Sequence, residues 1–249
     1  MELKDKVAIV TGGNGGLGRR IAAALARAGV HIAVTYGSNR ETAADVARGL
    51  VDLGVKAEAF GCDLEDPAQI AQLAHDVEAH FGRIDILVND AAFNKAIAFQ
   101  DLDSLDLDIW NKILTTNLNA PMMINNAVAP AMRRQDGGRI VNITSVAGFQ
   151  PQGSSIAYAV SKAGLNHLTI CMAVALAPDI LVNGVAPGLM EGTRMTERLT
   201  AEHVKRATAN SLLGKAASKD DIAAQVVVMC QTDTMTGQTV VIDAGRVFH

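Results

Sequence analysis

Short β-branched apolar runs alternate along the 249-residue chain with longer Ala-rich stretches whose apolar positions recur at helical spacing. The runs Val7–Val10, His31–Thr35, Lys56–Cys62, Ile84–Asn89, Gly138–Ile143, Ile180–Val185 and Thr239–Ile242 predict strands. The stretches Gly18–Ala28, Arg40–Leu53, Pro67–Phe81, Leu107–Arg134, Ala157–Ala177 and Lys219–Cys230 predict helices. Strands alternating with helices form parallel sheets through crossover connections, and near-continuous apolar runs mark strands covered on both faces. The pattern therefore predicts an α/β fold: a single doubly wound domain across residues 1–249, with a seven-stranded, mainly parallel sheet and helices on both faces. Pro121 and Pro130 fall inside Leu107–Arg134, where a proline removes a backbone donor and bends a helix. The least regular long stretch, Pro187–Asn210, is charged and Met-rich, and residues 188–210 are expected to form a flap.

Composition narrows the class. Apolar residues at 49% can build a sizeable core, and 22 basic against 26 acidic residues give a net charge of -4. No basic block is present to attract nucleic acid or an anionic membrane, so neither is expected as a partner. Met1–Lys6 is charged and runs into Val7–Val10, too short for a signal-peptide core, and no apolar run is read as long enough to span a membrane. A cytoplasmic protein is expected. Cys62, Cys171 and Cys230 lie far apart and outside zinc spacing, so buried free thiols are expected. The histidines show no ligand spacing, and no metal site is expected. Trp110, Met122 and Met123 are expected to pack helices, and Met190 and Met195 to line an apolar substrate pocket on the flap.

The chemistry sits in two places. Gly12, Gly16 and Gly18 fall where the first strand turns into the first helix, where absent side chains let backbone approach a pyrophosphate. Gly13, Gly15 and Gly18 also satisfy the looser G-x-G-x-x-G frame. No Gly-Lys-Ser/Thr ending makes this turn a P-loop, and no G-x-S-x-G nucleophile elbow occurs. Downstream, Tyr158 and Lys162 stand four residues apart on a predicted helix, with Ser145 before them. That spacing puts phenol and ammonium on one face, where the positive charge is expected to lower the Tyr pKa towards neutrality.

With these motifs in order, the chain resembles the short-chain dehydrogenase/reductase family over essentially its whole length. The T-G-x-x-x-G-x-G turn stands at Thr11–Gly18, an Asp-Leu pair after the third strand at Asp63 and Leu64, and the Asn of the fourth-strand motif at Asn89. The resemblance implies a Rossmann-type fold and a catalytic tetrad of Asn117, Ser145, Tyr158 and Lys162. Tyr158 is then the acid/base, Ser145 bonds the reacting oxygen, Lys162 binds the nicotinamide ribose, and Asn117 holds a water linking Lys162 to solvent. It also implies a dinucleotide site made of Gly12, Asn14, Gly16, Leu17, Gly18, Ser38, Asn39, Arg40, Asp63, Leu64, Asn89, Tyr158, Lys162, Pro187 and Gly188. Three departures stand out. The usual Asn-Asn-Ala-Gly is Asn89-Asp90-Ala91-Ala92, which adds an acidic residue expected to solvate a loop and an alanine able to narrow the ribose pocket. Thr193 arrives one residue later after Pro187-Gly188 than in the commonest spacing, and an arginine often found at the Gly15 position is missing.

Cofactor choice turns on Tyr36–Asn39, which holds no carboxylate to bind a ribose 2′-hydroxyl and repel a 2′-phosphate. Arg40, with Ser38 and Asn39, can hold the phosphate, unless Ser38 caps the next helix and Arg40 lies in solvent. NADP(H) is therefore modestly favoured, with NAD(H) as the alternative. The expected activity is hydride transfer between a nicotinamide cofactor and a secondary alcohol or ketone, in a homo-oligomer, tetramer or dimer, built on the long Ala-rich helices. A 3-oxoacyl thioester reductase is a candidate within the family, although Asp179 lies where carrier-protein reductases tend to be basic. A non-catalytic redox sensor is a second reading, disfavoured because all four tetrad residues are present. An epimerase or dehydratase needs a C-terminal substrate domain that 249 residues hardly allow.

Overall fold

The computed structural model describes residues 1–193, Thr196 and residues 201–248, apart from the side chains of Ala201, His203, Arg206 and Ala207. The strands are β1 (Val7–Thr11), β2 (His31–Tyr36), β3 (Ala57–Gly61), β4 (Ile86–Asn89), β5 (Gly138–Ile143), β6 (Ile180–Pro187) and β7 (Thr239–Ile242). They form one seven-stranded sheet in the order β3-β2-β1-β4-β5-β6-β7, with every neighbouring pair parallel. Strand order reverses between β1 and β4, which opens a crevice at the carboxyl ends of those strands.

The helices are α1 (Gly18–Arg27), α2 (Arg40–Val51), α3 (Pro67–Phe81), α4 (Leu107–Leu114), α5 (Ala120–Arg134), α6 (Ile156–Leu176), α7 (Ala201–Ala209) and α8 (Lys219–Gln231). Alternate residues of β1 feed opposite faces of the sheet, and both sets are apolar. Ala8 and Val10 join Ile21, Leu25, Ile222 and Val226 of α1 and α8 in one core. Val7 and Ile9 join Leu73, Val77, Ile124, Val128 and Leu176 of α3, α5 and α6 in the other. The expectation of fully covered strands fails at the two edges: β3 is partly exposed, with Glu58 open to solvent, and β7 is only half-buried.

Leu107–Arg134 is not one α-helix. A π turn over Thr115–Asn119 separates α4 from α5, and Pro121 is the second residue after it. An α-helix would direct the N–H of residue 121 to the Asn117 carbonyl, and proline has none, so the wider turn accommodates the missing bond. Pro130 remains inside α5.

Helix α6 has 21 residues and is long and apolar enough by composition to cross a membrane, contrary to the reading that no run reaches that length. In this fold it lies along the sheet, burying Ala157, Leu165, Met172, Ala173 and Leu176. Its other face carries Val160, Ile170 and Val174 exposed, the last at 78%. Cys171 shares that face, so one of the three thiols is exposed where all were expected to be buried. Met122 is exposed as well, while Met123 packs into the second core as expected.

Beneath the crevice runs a buried polar chain. The Asn89 amide donates to Asn125 Oδ1 at 3.0 Å and to Asn142 Oδ1 at 2.8 Å, and Asn142 donates to Thr169 Oγ1 at 2.9 Å. These bonds fix the ends of β4 and β5 to α5 and α6, the elements that carry the functional side chains.

Candidate active site

The glycine turn is shaped by close approach. Gly12 has φ +63°, and a Cβ there would stand 3.0 Å from the Ala91 Cα; a Cβ on Gly18 would collide with the Gly12 carbonyl oxygen. Thr11 Oγ1 accepts the N–H groups of Asp90 at 3.0 Å and Ala91 at 3.1 Å, stitching the end of β1 to the end of β4. Helix α1 begins after Leu17, which gives no side-chain cap. A bare helix N-terminus beside a glycine cradle suits an anionic pyrophosphate. Asn14 Nδ2 donates to the Asn39 carbonyl at 3.3 Å, and Arg19 Nε donates to the Asn14 carbonyl at 2.9 Å, joining this turn to the one after β2.

Ser38, Asn39 and Arg40 are exposed at that second turn. Asn39, rather than Ser38, caps α2: its Oδ1 accepts the Thr42 N–H at 3.1 Å. Beyond β3, Asp63 accepts the Glu65 N–H at 2.9 Å, and Leu64 packs on the second core. Asn89 is turned inward, its amide spent on Asn125 and Asn142, so it ties the strand down instead of facing the crevice. Pro187 closes β6, and Gly188 donates to the Ile242 carbonyl at 2.9 Å, where a Cβ would stand 2.7 Å from the Asp243 Cβ. The chain after it lies on the glycine turn: a Cβ on Gly16 would stand 2.7 Å from the Gly192 carbonyl oxygen. Lys219 Nζ holds that carbonyl at 3.1 Å, and the Thr193 hydroxyl pairs with Thr196 at 3.0 Å. Met190 is half-buried and packs against the first core, and Met195 lies outside the described residues.

Ser145, Tyr158 and Lys162 come together at the end of β5. A three-residue 3-10 turn, Val146–Gly148, rides on α6 so closely that a Cβ on Gly148 would stand 2.7 Å from the Lys162 carbonyl. This approach brings Ser145 to the Tyr158 hydroxyl, whose ionised form it favours. Buried Ser155 caps α6, accepting the Tyr158 N–H at 3.2 Å, and so sets where the phenol leaves the helix. Lys162 is 3% exposed; its ammonium donates to the Ile143 carbonyl at 2.8 Å and stands 5.9 Å from the Tyr158 ring centroid.

Asn117 is fully buried in the π turn. Its Oδ1 accepts the Phe93 N–H at 2.8 Å, and its amide donates to the Phe93 carbonyl at 2.9 Å and to Ser161 Oγ at 3.1 Å. Both amide hydrogens are thereby spent on protein groups. The side chain braces the loop after β4 against α6, where Ser161 in turn donates to the Tyr158 carbonyl at 2.7 Å.

The electrostatics revise two expectations. Burial raises the Tyr158 pKa above its ordinary value; the Ser145 bond opposes this and Asp90 adds to it. The tyrosine is thus held as a neutral acid in the ligand-free protein, not brought to neutrality by Lys162. Burial pushes Lys162 down to about 8, against the favourable charge of Asp90. Asp90 does not solvate a loop. It is half-buried beside Gly18, and desolvation pushes it up to about 7 although Lys162 and the Gly18 N–H favour its ionised form. Sequence reasoning also missed Ser155, legible as a Ser before a helix, and Gly148, Ser161 and the Phe93 backbone, which carry no local signal.

The short chain dehydrogenase family model matches residues 6–204. The 3-oxoacyl-[acyl-carrier-protein] reductase FabG of Aquifex aeolicus is 34% identical over 249 residues, covering 98% of this chain and 98% of that protein. The human 3-oxoacyl-[acyl-carrier-protein] reductase is 35% identical over 242 residues, covering 97% and 98%. A short chain dehydrogenase from Burkholderia cenocepacia, solved in complex with NADP, superposes with a TM-score of 0.90 at 33% identity, covering 99% of each chain. The matched span runs from the glycine turn through the Tyr158 and Lys162 helix and the β6 end, so the chain belongs to the short-chain dehydrogenase family and is an NAD(P)-dependent oxidoreductase.

Proposed function

We propose that Tyr158 is the proton donor and acceptor in the interconversion of a secondary alcohol and a ketone, with Ser145 bonding the same oxygen. The carrying observation is the convergence of Ser145 and the Tyr158 hydroxyl at the end of β5, with the buried Lys162 ammonium, bonded to the Ile143 carbonyl, one helical turn away. The bound dinucleotide supplies the hydride in reduction and accepts it in oxidation. As the carbonyl carbon gains hydride, its oxygen takes the Tyr158 proton; in the reverse sense the phenolate takes the alcohol proton. Ser145 stabilises the charge that develops on that oxygen. Lys162, held by Ile143, offers its remaining donors to the nicotinamide ribose, and Asn117 acts as a positioning residue for the α6 turn that carries Tyr158. Of the flap expected over 188–210, residues 194, 195 and 197–200 lie outside the described residues. A thioester-linked 3-oxoacyl substrate is the second reading, favoured by the activities named for the two reductase relatives. Asp179, paired with Arg133 at 3.5 Å, puts a neutralised pair where an acidic carrier would seek free positive charge.

NADP(H) is the preferred cofactor in this reading, because Ser38 and Arg40 are exposed beside a turn free of carboxylates. The Burkholderia relative, solved with NADP, supports it. The free thiols suit a reducing, cytoplasmic setting. The exposed Val160, Ile170 and Val174 of α6, beside Leu118, Met122 and Leu168, form an apolar face that a second copy covers. Leu212, Leu213 and Phe248 expose a second apolar set, which supports a tetramer over a dimer.

Four outcomes follow from this reading. Tyr158→Phe should lower turnover by about a hundred- to ten-thousand-fold while leaving cofactor affinity nearly unchanged; more than about a tenth of the wild-type rate, with chemistry limiting, would contradict the assignment. Because Tyr158 stays protonated through the neutral range while Lys162 loses its charge near 8, ketone reduction should be level around neutrality and fall above about pH 8. Lys162→Met should abolish that alkaline limb at a lower overall rate; a wild-type profile level to pH 10 would refute it. For cofactor choice, Arg40→Ala should weaken NADP(H) about ten- to a hundredfold and spare NAD(H). Gly37→Asp, where a Cβ meets nothing within 4 Å, should reverse the preference; wild-type protein binding NAD more than tenfold tighter than NADP would overturn the reading. Light scattering should give the mass of a dimer or tetramer, with Val174→Glu shifting it downward; a monomeric wild type excludes the interface.

A further inference from the structure

Asp90 stands where the family's usual pattern has asparagine, and it occupies the point at which the dinucleotide site and the Tyr158–Lys162 pair meet. Its backbone N–H donates to the Thr11 hydroxyl at 3.0 Å, which fixes its main chain at the crevice. Its carboxylate lies against Gly18, the first residue of α1: Oδ2 is 2.9 Å from where a Cβ on Gly18 would be, and the Gly18 N–H favours the ionised carboxylate. We propose that Asp90 and the pyrophosphate of the dinucleotide compete for the N-terminus of α1, so that cofactor binding takes up a proton at Asp90. This rests on the reading that the glycine turn holds the dinucleotide.

The physical reason is charge. A free carboxylate at a helix N-terminus is stabilised by the amide dipoles, and a pyrophosphate brings two negative charges to the same amides. Two like charges cannot share that end without a penalty, and protonation of the carboxyl removes it. Among the described residues, the titratable and charged groups that act on Asp90 are Lys162 and Tyr158 of α6; α1 presents the Gly18 N–H and β1 the Thr11 hydroxyl. Lys162 favours the ionised carboxylate and burial opposes it, which leaves the group near 7, poised to change state at neutral pH. Below that value Asp90 is already neutral, and binding is insensitive to pH. Above it, binding draws a proton from solvent, and affinity falls by up to about tenfold per pH unit until the bound-state value is reached.

The test is calorimetric titration with NAD, which lacks a titrating 2′-phosphate, in buffers of different ionisation enthalpy between pH 6 and 8.5. Wild-type protein should take up close to one proton at pH 8 and bind about tenfold more weakly there than at pH 6. Asp90→Asn keeps an oxygen for the Gly18 N–H and should bind with no uptake, tighter than wild type at pH 8. Lys162→Met removes the charge that keeps the carboxyl ionised and should move the uptake to higher pH without abolishing it, which separates the carboxyl from the ammonium. Binding without uptake in wild type, or uptake that survives Asp90→Asn and disappears in Lys162→Met, would overturn the proposal while leaving the dinucleotide site intact. Failure of both NAD and NADP to bind at any pH would refute the dinucleotide reading itself and the proposal with it.

Discussion

A buried ammonium is the constraint around which this site is arranged. Lys162 is 3% exposed and spends one donor on the Ile143 carbonyl. Burying such a charge is costly unless it is paired, and burial accordingly draws its pKa down to about 8. Asp90 faces it across the crevice and favours its charged form. No ion pair within 4 Å joins Lys162 and Asp90 among the described residues. The charge therefore remains available to a ligand, and the phenol one turn earlier stays neutral.

The scaffold holds these groups through backbone approach more than through side-chain contact. Gly12 against Ala91, Gly18 against the Gly12 carbonyl, and Gly148 against the Lys162 carbonyl each bring two segments closer than a Cβ allows. Thr11 ties the end of β1 to the chain after β4, Asn117 ties the loop after β4 to α6, and Asn89, Asn142 and Thr169 lock β4 and β5 to α5 and α6 with buried hydrogen bonds. Rigid placement of an acid and a cation in a crevice at a topological switch point is what hydride transfer requires of a protein whose cofactor carries the chemistry.

Much of this was legible in the residues. Apolar runs and helical periods place every strand and most helices, because a doubly covered parallel sheet demands continuous apolar strands. The break at Thr115–Asn119 was signalled only by Pro121, and a proline does not say whether a helix kinks, ends or widens into a π turn. Ser145, Tyr158 and Lys162 were legible because their spacing is local to one helix and the strand before it. Their electrostatics were not: the four-residue spacing pointed to a lowered Tyr158 pKa, whereas burial raises it and the ammonium stands 5.9 Å from the ring. Asp90 read as a loop charge because nothing in sequence places it beside Gly18, 72 residues earlier, across the β1–β4 crevice.

The ionisation of Tyr158 tests the central claim most directly. The chain has two tyrosines, so the ultraviolet tyrosinate absorbance of wild type minus Tyr158→Phe isolates the one in the site. In the ligand-free protein the difference titration should show no ionisation of Tyr158 below its ordinary value of about 10. A tyrosinate appearing near neutrality would mean that Lys162 governs the phenol already in the resting site, and would contradict this account of the charge balance.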